Sequence, residues 1–216
     1  VAVAATQVDH THDDEGFSPR QREVLDAVLA LMVEEGDGFS MAAVCRRASC
    51  SKETLYNWFG DRDGLLAATV QWQASKVKLP TLDRSNLDAA SLKAGLTDFA
   101  ESWVSVLTGE LSIALNSLAV AHASSARSRL GKSVLDNGRF AIGRRVKPVL
   151  EMAREAGLLS FEDTEEAFGT FFGLVVRDIQ IRVLLGDRPL PTKNAIRTGA
   201  ERAAQQFLTL YGVAEK

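Results

Sequence analysis

The stretch FSMAAVCRRASCSKETLYNWFGDRDGLL, residues 39–66, reads as two short helices joined by a tight turn, with a third helix directly behind them. Ser40 is a good N-cap, and the small apolar residues Ala42, Ala43, Val44 and Cys45 follow it. Arg46 and Arg47 give the end of this first helix a basic side. Ala48-Ser49-Cys50 is too short for a loop and fits a turn. Ser51 can cap the next helix, in which Leu55 and Phe59 stand i, i+4 and so share one buried face. Lys52, Thr54, Tyr56, Asn57 and Trp58 then point elsewhere. A helix this short is unstable alone, so it depends on docking Leu55 and Phe59, which leaves a polar face for a partner. The pattern is that of a helix-turn-helix, a device that sets one helix into a DNA major groove.

These residues also resemble the tetracycline-repressor (TetR) family of bacterial one-component regulators. The resemblance rests on Ala48-Ser49-Cys50-Ser51 at the turn, Thr54-Leu55-Tyr56, the aromatic pair Trp58-Phe59, and Asp61-Arg62-Asp63 ahead of Leu65-Leu66. Ser49 stands where that family usually has glycine, Cys50 replaces an aliphatic residue, and Trp58 replaces His or Tyr. A non-glycine residue in such a turn must tolerate any positive φ the turn requires.

Outward from the motif, the chain of 216 residues is 46% hydrophobic, enough for a sizeable core. No sustained period-2 alternation marks strands, so the expected fold is all-α, with about nine helices. Residues 1–17 form a polar, acidic tail expected to be disordered; His10 and His12 in it are explained by solvation rather than by a metal. A helix-turn-helix domain is expected over residues 18–62 and a ligand-binding and dimerisation domain over 63–216. Ser18 opens the first helix with Pro19 at N1 and Gly36 past its end, and Val24, Leu25, Val28, Leu31 and Met32 form its apolar stripe. Arg20 and Gln21 lie where the family's first helix meets the DNA backbone. A fourth helix spans about Arg62 to Lys78. Further helices follow over about 86–108, 110–124, 128–156 and 163–185, with a last one beyond Lys193; Pro148 should kink or break the third of these.

The net charge of −3 excludes a sequence-blind basic DNA coat. The local balance differs: Arg46, Arg47, Lys52 and Arg62 oppose only Glu53 and Asp61 between Ser40 and Arg62. The resemblance places Thr54, Tyr56 and Trp58 along the phosphate backbone, with Ser40, Ser51 and Arg62 beside them. Lys52 and Asn57 suit guanine and adenine edges, and Glu53 can accept from cytosine. One of Arg46 and Arg47 should face phosphate and the other solvent.

The segment 163–185 is apolar nearly all round, which demands burial on more than one side. Its Gly169 and Gly173 allow another helix close approach. With Phe172, Val176 and Gln180 they are expected to meet a second copy of the chain, together with Ile196, Gly199, Ala200, Ala203 and Phe207 of the last helix, in a four-helix dimer interface. Arg177, Asp178 and Arg182 argue against a membrane dimer there. The run FFGLVVRDIQIRVLLG also resembles the carboxy-terminal domain of the AefR-type branch of the family.

The family implies a homodimer on a pseudo-palindromic double-stranded DNA operator, most often as a repressor, released by a small-molecule effector. Trp72, Phe99, Trp103, Asn116, His122, Phe140, Phe172 and Val176 are the expected lining of the effector cavity. The rival class is a helical module that has lost operator binding and acts through a protein partner. Cys45 and Cys50 are the only cysteines and read as small packing residues. There is no zinc-type Cys/His cluster, no glycine-rich phosphate loop and no Ser/His/Asp motif. No enzyme activity, metal or cofactor is expected. With no secretory or membrane-spanning run, a cytoplasmic protein is expected.

Overall fold

The computed structural model describes residues 16–124, 129–187 and 190–213, and they are all-helical. The expected tail lies outside them, apart from Gly16 and Phe17. In chain order the helices are α1 (Pro19–Glu35), α2 (Met41–Arg47), α3 (Lys52–Phe59), α4 (Arg62–Ser75), α5 (Ala89–Leu107), α6 (Glu110–Ala121), α7 (Leu130–Val134), α8 (Phe140–Glu155), α9 (Thr164–Val176), α10 (Ile179–Leu184) and α11 (Lys193–Tyr211). Their starts follow from local chemistry. Ser18 and Gln21 form a capping box with Pro19 at N1, and Ser40, Ser51, Asp61, Asp88, Asp163 and Thr192 each accept a backbone N–H with the side chain.

Two expectations about helix continuity need correction. The segment 163–185 is not one helix: it breaks between α9 and α10, where Arg177 takes φ 48°. Nor does Pro148 interrupt α8, which runs through it; Pro148 and Arg144 are exposed, so water can reach the carbonyl that proline cannot pair. The irregularity falls earlier, in a π-helical turn over Leu135–Arg139 that joins α7 to α8.

Two apolar clusters organise the molecule. The first holds Val24, Leu25, Val28, Phe39, Val44, Leu55, Leu65 and Val70, joined by Leu115 and Leu118 of α6 and Leu130 of α7. The helix-turn-helix core is therefore shared with elements well beyond residue 62. The second cluster is built from α5, α8, α9 and α11 around Phe99, Trp103, Phe168, Phe171 and Phe207. Its rings touch in series: Trp103 to Phe99 at 5.3 Å, Phe99 to Phe171 at 6.1 Å, and Phe171 to Phe207 at 5.0 Å between centroids. α4 reaches both clusters, with Leu65 and Val70 in the first and Val77, just past its end, in the second. No single described helix is long and apolar enough to cross a membrane.

Candidate nucleic-acid interface and effector cavity

The turn between α2 and α3 is a Schellman motif. The Cys50 N–H donates to the Cys45 carbonyl at 3.0 Å and the Ser49 N–H to the Arg46 carbonyl at 3.4 Å. Ser49 takes φ 50°, the left-handed conformation glycine usually supplies. This motif brings its third-from-last helical residue against the second residue beyond the helix, which here are the two cysteines. Both are half-buried, and burial beside Cys45 raises the Cys50 thiol above its ordinary value, so it stays neutral.

α3 is held from behind and open in front. Leu55 is fully buried, whereas Lys52, Glu53, Tyr56 and Asn57 are exposed and Thr54 and Trp58 are half-exposed. Ser51 Oγ accepts from the Thr54 N–H at 3.0 Å and lies 2.8 Å from Thr54 Oγ1. Ser40 Oγ accepts from the Ala43 N–H at 3.1 Å. Both serine hydroxyls thus serve the backbone first. The Trp58 ring meets Phe59 edge-on at 6.1 Å and packs on the first cluster. Arg62, at the start of α4, places its guanidinium 4.8 Å from the Phe39 ring centre.

The basic residues separate by their ties. Arg47 makes a two-pronged contact with Glu34 of α1, with Nη2 to Oε1 at 2.7 Å. That hydrogen bond holds the Glu34 carboxyl below its ordinary value. Arg46 is exposed and meets no carboxylate among the described residues. Arg20, placed by sequence near the DNA backbone, donates instead to the Ala48 and Ser49 carbonyls and pairs with Glu23. Gln21 is spent on the capping box.

A cavity of about 170 Å³ lies behind α4. Val70, Gln73 and Ala74 line it from α4 and Val77 from just past its end, Trp103 and Val106 from α5, and Ser112, Leu115 and Asn116 from α6. The π-helical turn adds Leu135, Gly138 and Arg139, and Phe172 and Gln180 close it. Of the residues expected here, Trp103, Asn116 and Phe172 are on the wall. The other five are not. Trp72 sits on another face of α4 and donates from Nε1 to Asp26 Oδ1 at 2.8 Å, with Arg22 and Lys76 over its ring. Residues 70, 73, 74 and 77 form the i, i+3, i+4, i+7 stripe, and position 72 is out of phase with it. Phe99 and Val176 are core, His122 caps the end of α6, and Phe140 is part-exposed beside the cavity rather than on its wall. Gln73 and Arg139 join the wall without having been expected there. A glutamine in the apolar stripe of α4 is a signal visible in the sequence; the placement of Arg139 by a π turn is not.

Burial also redraws the expected dimer face. Val176, Ala200, Ala203 and Phe207 are buried within their own chain, because the small-residue stripe of α11 packs on α5 and α9. Phe172 and Gln180 belong to the cavity wall. Gly169, Gly173, Ile196 and Gly199 keep some exposure, and a Cβ at any of the three glycines would meet nothing within 4 Å.

Comparison with known proteins agrees with this architecture. Residues 94–213 match a family model described as the AefR-like transcriptional repressor, C-terminal domain. A TetR transcriptional regulator from Agrobacterium tumefaciens is 44% identical, with 91% of this chain and 96% of that one covered and a TM-score of 0.79. The flavonoid-responsive regulator FrrA is 28% identical, with 91% and 98% covered and a TM-score of 0.67. The HTH-type transcriptional regulator BetI of Paraburkholderia xenovorans (strain LB400) is 38% identical over 63 residues. That match takes in 26% of this chain, and the chain spans only 32% of that relative's length. A helix-turn-helix head carried on an AefR-like helical body places the chain in the TetR family of transcriptional regulators.

Proposed function

We propose that this protein is a cytoplasmic, ligand-responsive repressor that binds a pseudo-palindromic operator as a homodimer and leaves it when a small molecule fills the cavity behind α4. The exposed polar face of α3, anchored by the buried Leu55, carries the reading. Lys52 and Asn57 are the base readers, with Glu53 able to accept from cytosine. Thr54, Tyr56, Trp58, Ser40, Ser51, Arg46 and Arg62 supply backbone contacts, which set register and much of the affinity. Arg47 is left out, because Glu34 occupies it. Two heads on a two-fold axis read half-sites roughly 34–36 Å apart.

α4 supports the release step. Its first turn abuts the head through Arg62 and Phe39, and its later turns form the cavity wall. At its far end Arg145 donates to the Ala74 and Val77 carbonyls at 3.3 and 3.2 Å, fastening it to α8. A ligand that fits one setting of α4 better than another shifts the head spacing, and only that differential affinity can do so. The test is selection of duplexes from a random pool by the purified protein, followed by fluorescence anisotropy on the enriched sequence. Sequence-selective, salt-sensitive binding at one dimer per inverted repeat is expected. Equal binding to enriched and scrambled duplexes would overturn the reading and favour a module acting through a protein partner.

A further inference from the structure

The chemistry of the cavity wall narrows its ligand, an inference that rests on the effector reading above. Gln73 is 7% exposed, its Nε2 donates to Ser112 Oγ at 2.9 Å, and its Oε1 is buried with no hydrogen-bond partner among the described residues. Buried acceptors are normally paired, so this one asks for a donor from within the cavity. Arg139 lines the same space. Its guanidinium lies 4.6 Å from the centre of the Phe172 ring and 5.7 Å from those of Phe140 and Phe168, and no carboxylate among the described residues pairs with it. A guanidinium braced on aromatic faces keeps its fork of donors for an anion. Trp103 and Phe172, 5.2 Å apart between ring centres, give the wall an aromatic corner.

Size sets the remaining limit. An apolar cavity of roughly 150 Å³ holds one benzene ring. The 170 Å³ here is of that order and seats a single ring with small substituents. We infer that the cavity takes a single-ring aromatic carboxylate bearing a hydroxyl, with the ring on Trp103 and Phe172, the carboxylate on Arg139 and the hydroxyl donating to Gln73 Oε1. The π-helical turn that carries Arg139 then has a function, which is to hold the anion-binding group at the wall.

Titration calorimetry on the full chain tests this with 3- and 4-hydroxybenzoate, benzoate, 4-hydroxybenzyl alcohol and the flavonoid naringenin. One or both hydroxybenzoates should bind at least about tenfold more tightly than benzoate or the alcohol. Gln73→Met should abolish the advantage over benzoate, and Arg139→Met the advantage over the alcohol. Thermal melting of each variant establishes that it folds, and Arg139→Lys, which keeps the charge, should recover part of the loss. Operator release is scored separately by anisotropy. Hydroxybenzoate binding without release keeps this ligand class and overturns the effector reading. Binding and release by naringenin alone, or equal affinity for all the single-ring probes, overturns the class.

Discussion

The Arg20 guanidinium donates to the carbonyl of Ser49 at 2.9 Å, so the first helix holds the one residue of the recognition turn that sits in left-handed backbone. The same group reaches the Ala48 carbonyl. An L-residue in this conformation costs about 1–2 kcal/mol, and the hydrogen bonds from Arg20 offset part of that. Ser49→Gly should therefore raise stability by about 0.5–1 kcal/mol, the strain relief less the extra chain entropy of glycine. Arg20→Met should lower it by about 1 kcal/mol, since the contact is partly solvent-screened. Urea unfolding of both variants checks the pair, with opposite signs expected.

Gly64 is fixed by a different contact. A Cβ there would lie 2.0 Å from the Phe59 carbonyl oxygen, because only Gly60 and Asp61 separate α3 from α4. Gly64→Ala must pry the recognition helix away from α4 and should cost about 3 kcal/mol. Thermal melts read the cost directly. Gly131→Ala, with nothing within 4 Å of its added Cβ, is the control and should change stability by less than about 1 kcal/mol.

Much of the head is legible in the sequence because its signals are local. The serine caps at Ser18, Ser40 and Ser51, the Leu55–Phe59 spacing and the need for positive φ at Ser49 each depend on a few adjacent residues, and each is present. The apolar stripe of α1 is readable for the same reason. What stays hidden depends on distant partners. Nothing near Arg47 in the sequence announces that Glu34 faces it, and nothing near Arg177 announces that the chain turns there. Aromatic content alone does not distinguish Trp103 on the cavity wall from Phe99 one turn away in the core. Helical phase along α4 does separate Gln73 from Trp72.

Arg46 and Arg47 are neighbours with different fates, and salt dependence should separate them. Removing a single phosphate contact reduces the slope of log K against log salt by about one. Arg46→Gln should show that reduction for each head, whereas Arg47→Gln should leave the slope unchanged and lower stability instead. The stability effect depends on pH. Glu34 titrates below its ordinary 4.5 in the folded chain, so the tie contributes above that value and fades as pH falls through the folded-state value. Melting temperatures of wild type and Arg47→Gln should differ at pH 7 and converge only in acid, once the pH has fallen below the lowered value of Glu34.

Base readers and backbone contacts should separate in the same assay. Lys52→Ala and Asn57→Ala should each cost about 1–3 kcal/mol on the selected duplex and little on a scrambled one, narrowing discrimination. Tyr56→Phe removes a hydroxyl from an exposed residue and should weaken both duplexes alike. Matched losses on both duplexes for all three variants would show that α3 does not read bases.

Gly173 tests whether the heads act in pairs. In a single chain nothing lies within 4 Å of a Cβ placed there, or at Gly169 four residues earlier. The residue is exposed, so a larger side chain finds room in the monomer. In the proposed dimer the same position lets a partner helix approach closely, and a leucine would hold it off. Gly173→Leu should thus leave the melting temperature of dilute, monomeric protein within a few degrees of wild type, since glycine inside a helix is itself unfavourable by about 1 kcal/mol. Sedimentation velocity should show the dimer shifting to monomer. Operator affinity should fall by more than about a hundredfold, because the second head no longer binds as part of the same molecule. A Gly173→Leu protein that still sediments as a dimer would place the two-fold axis on another face of the helical body.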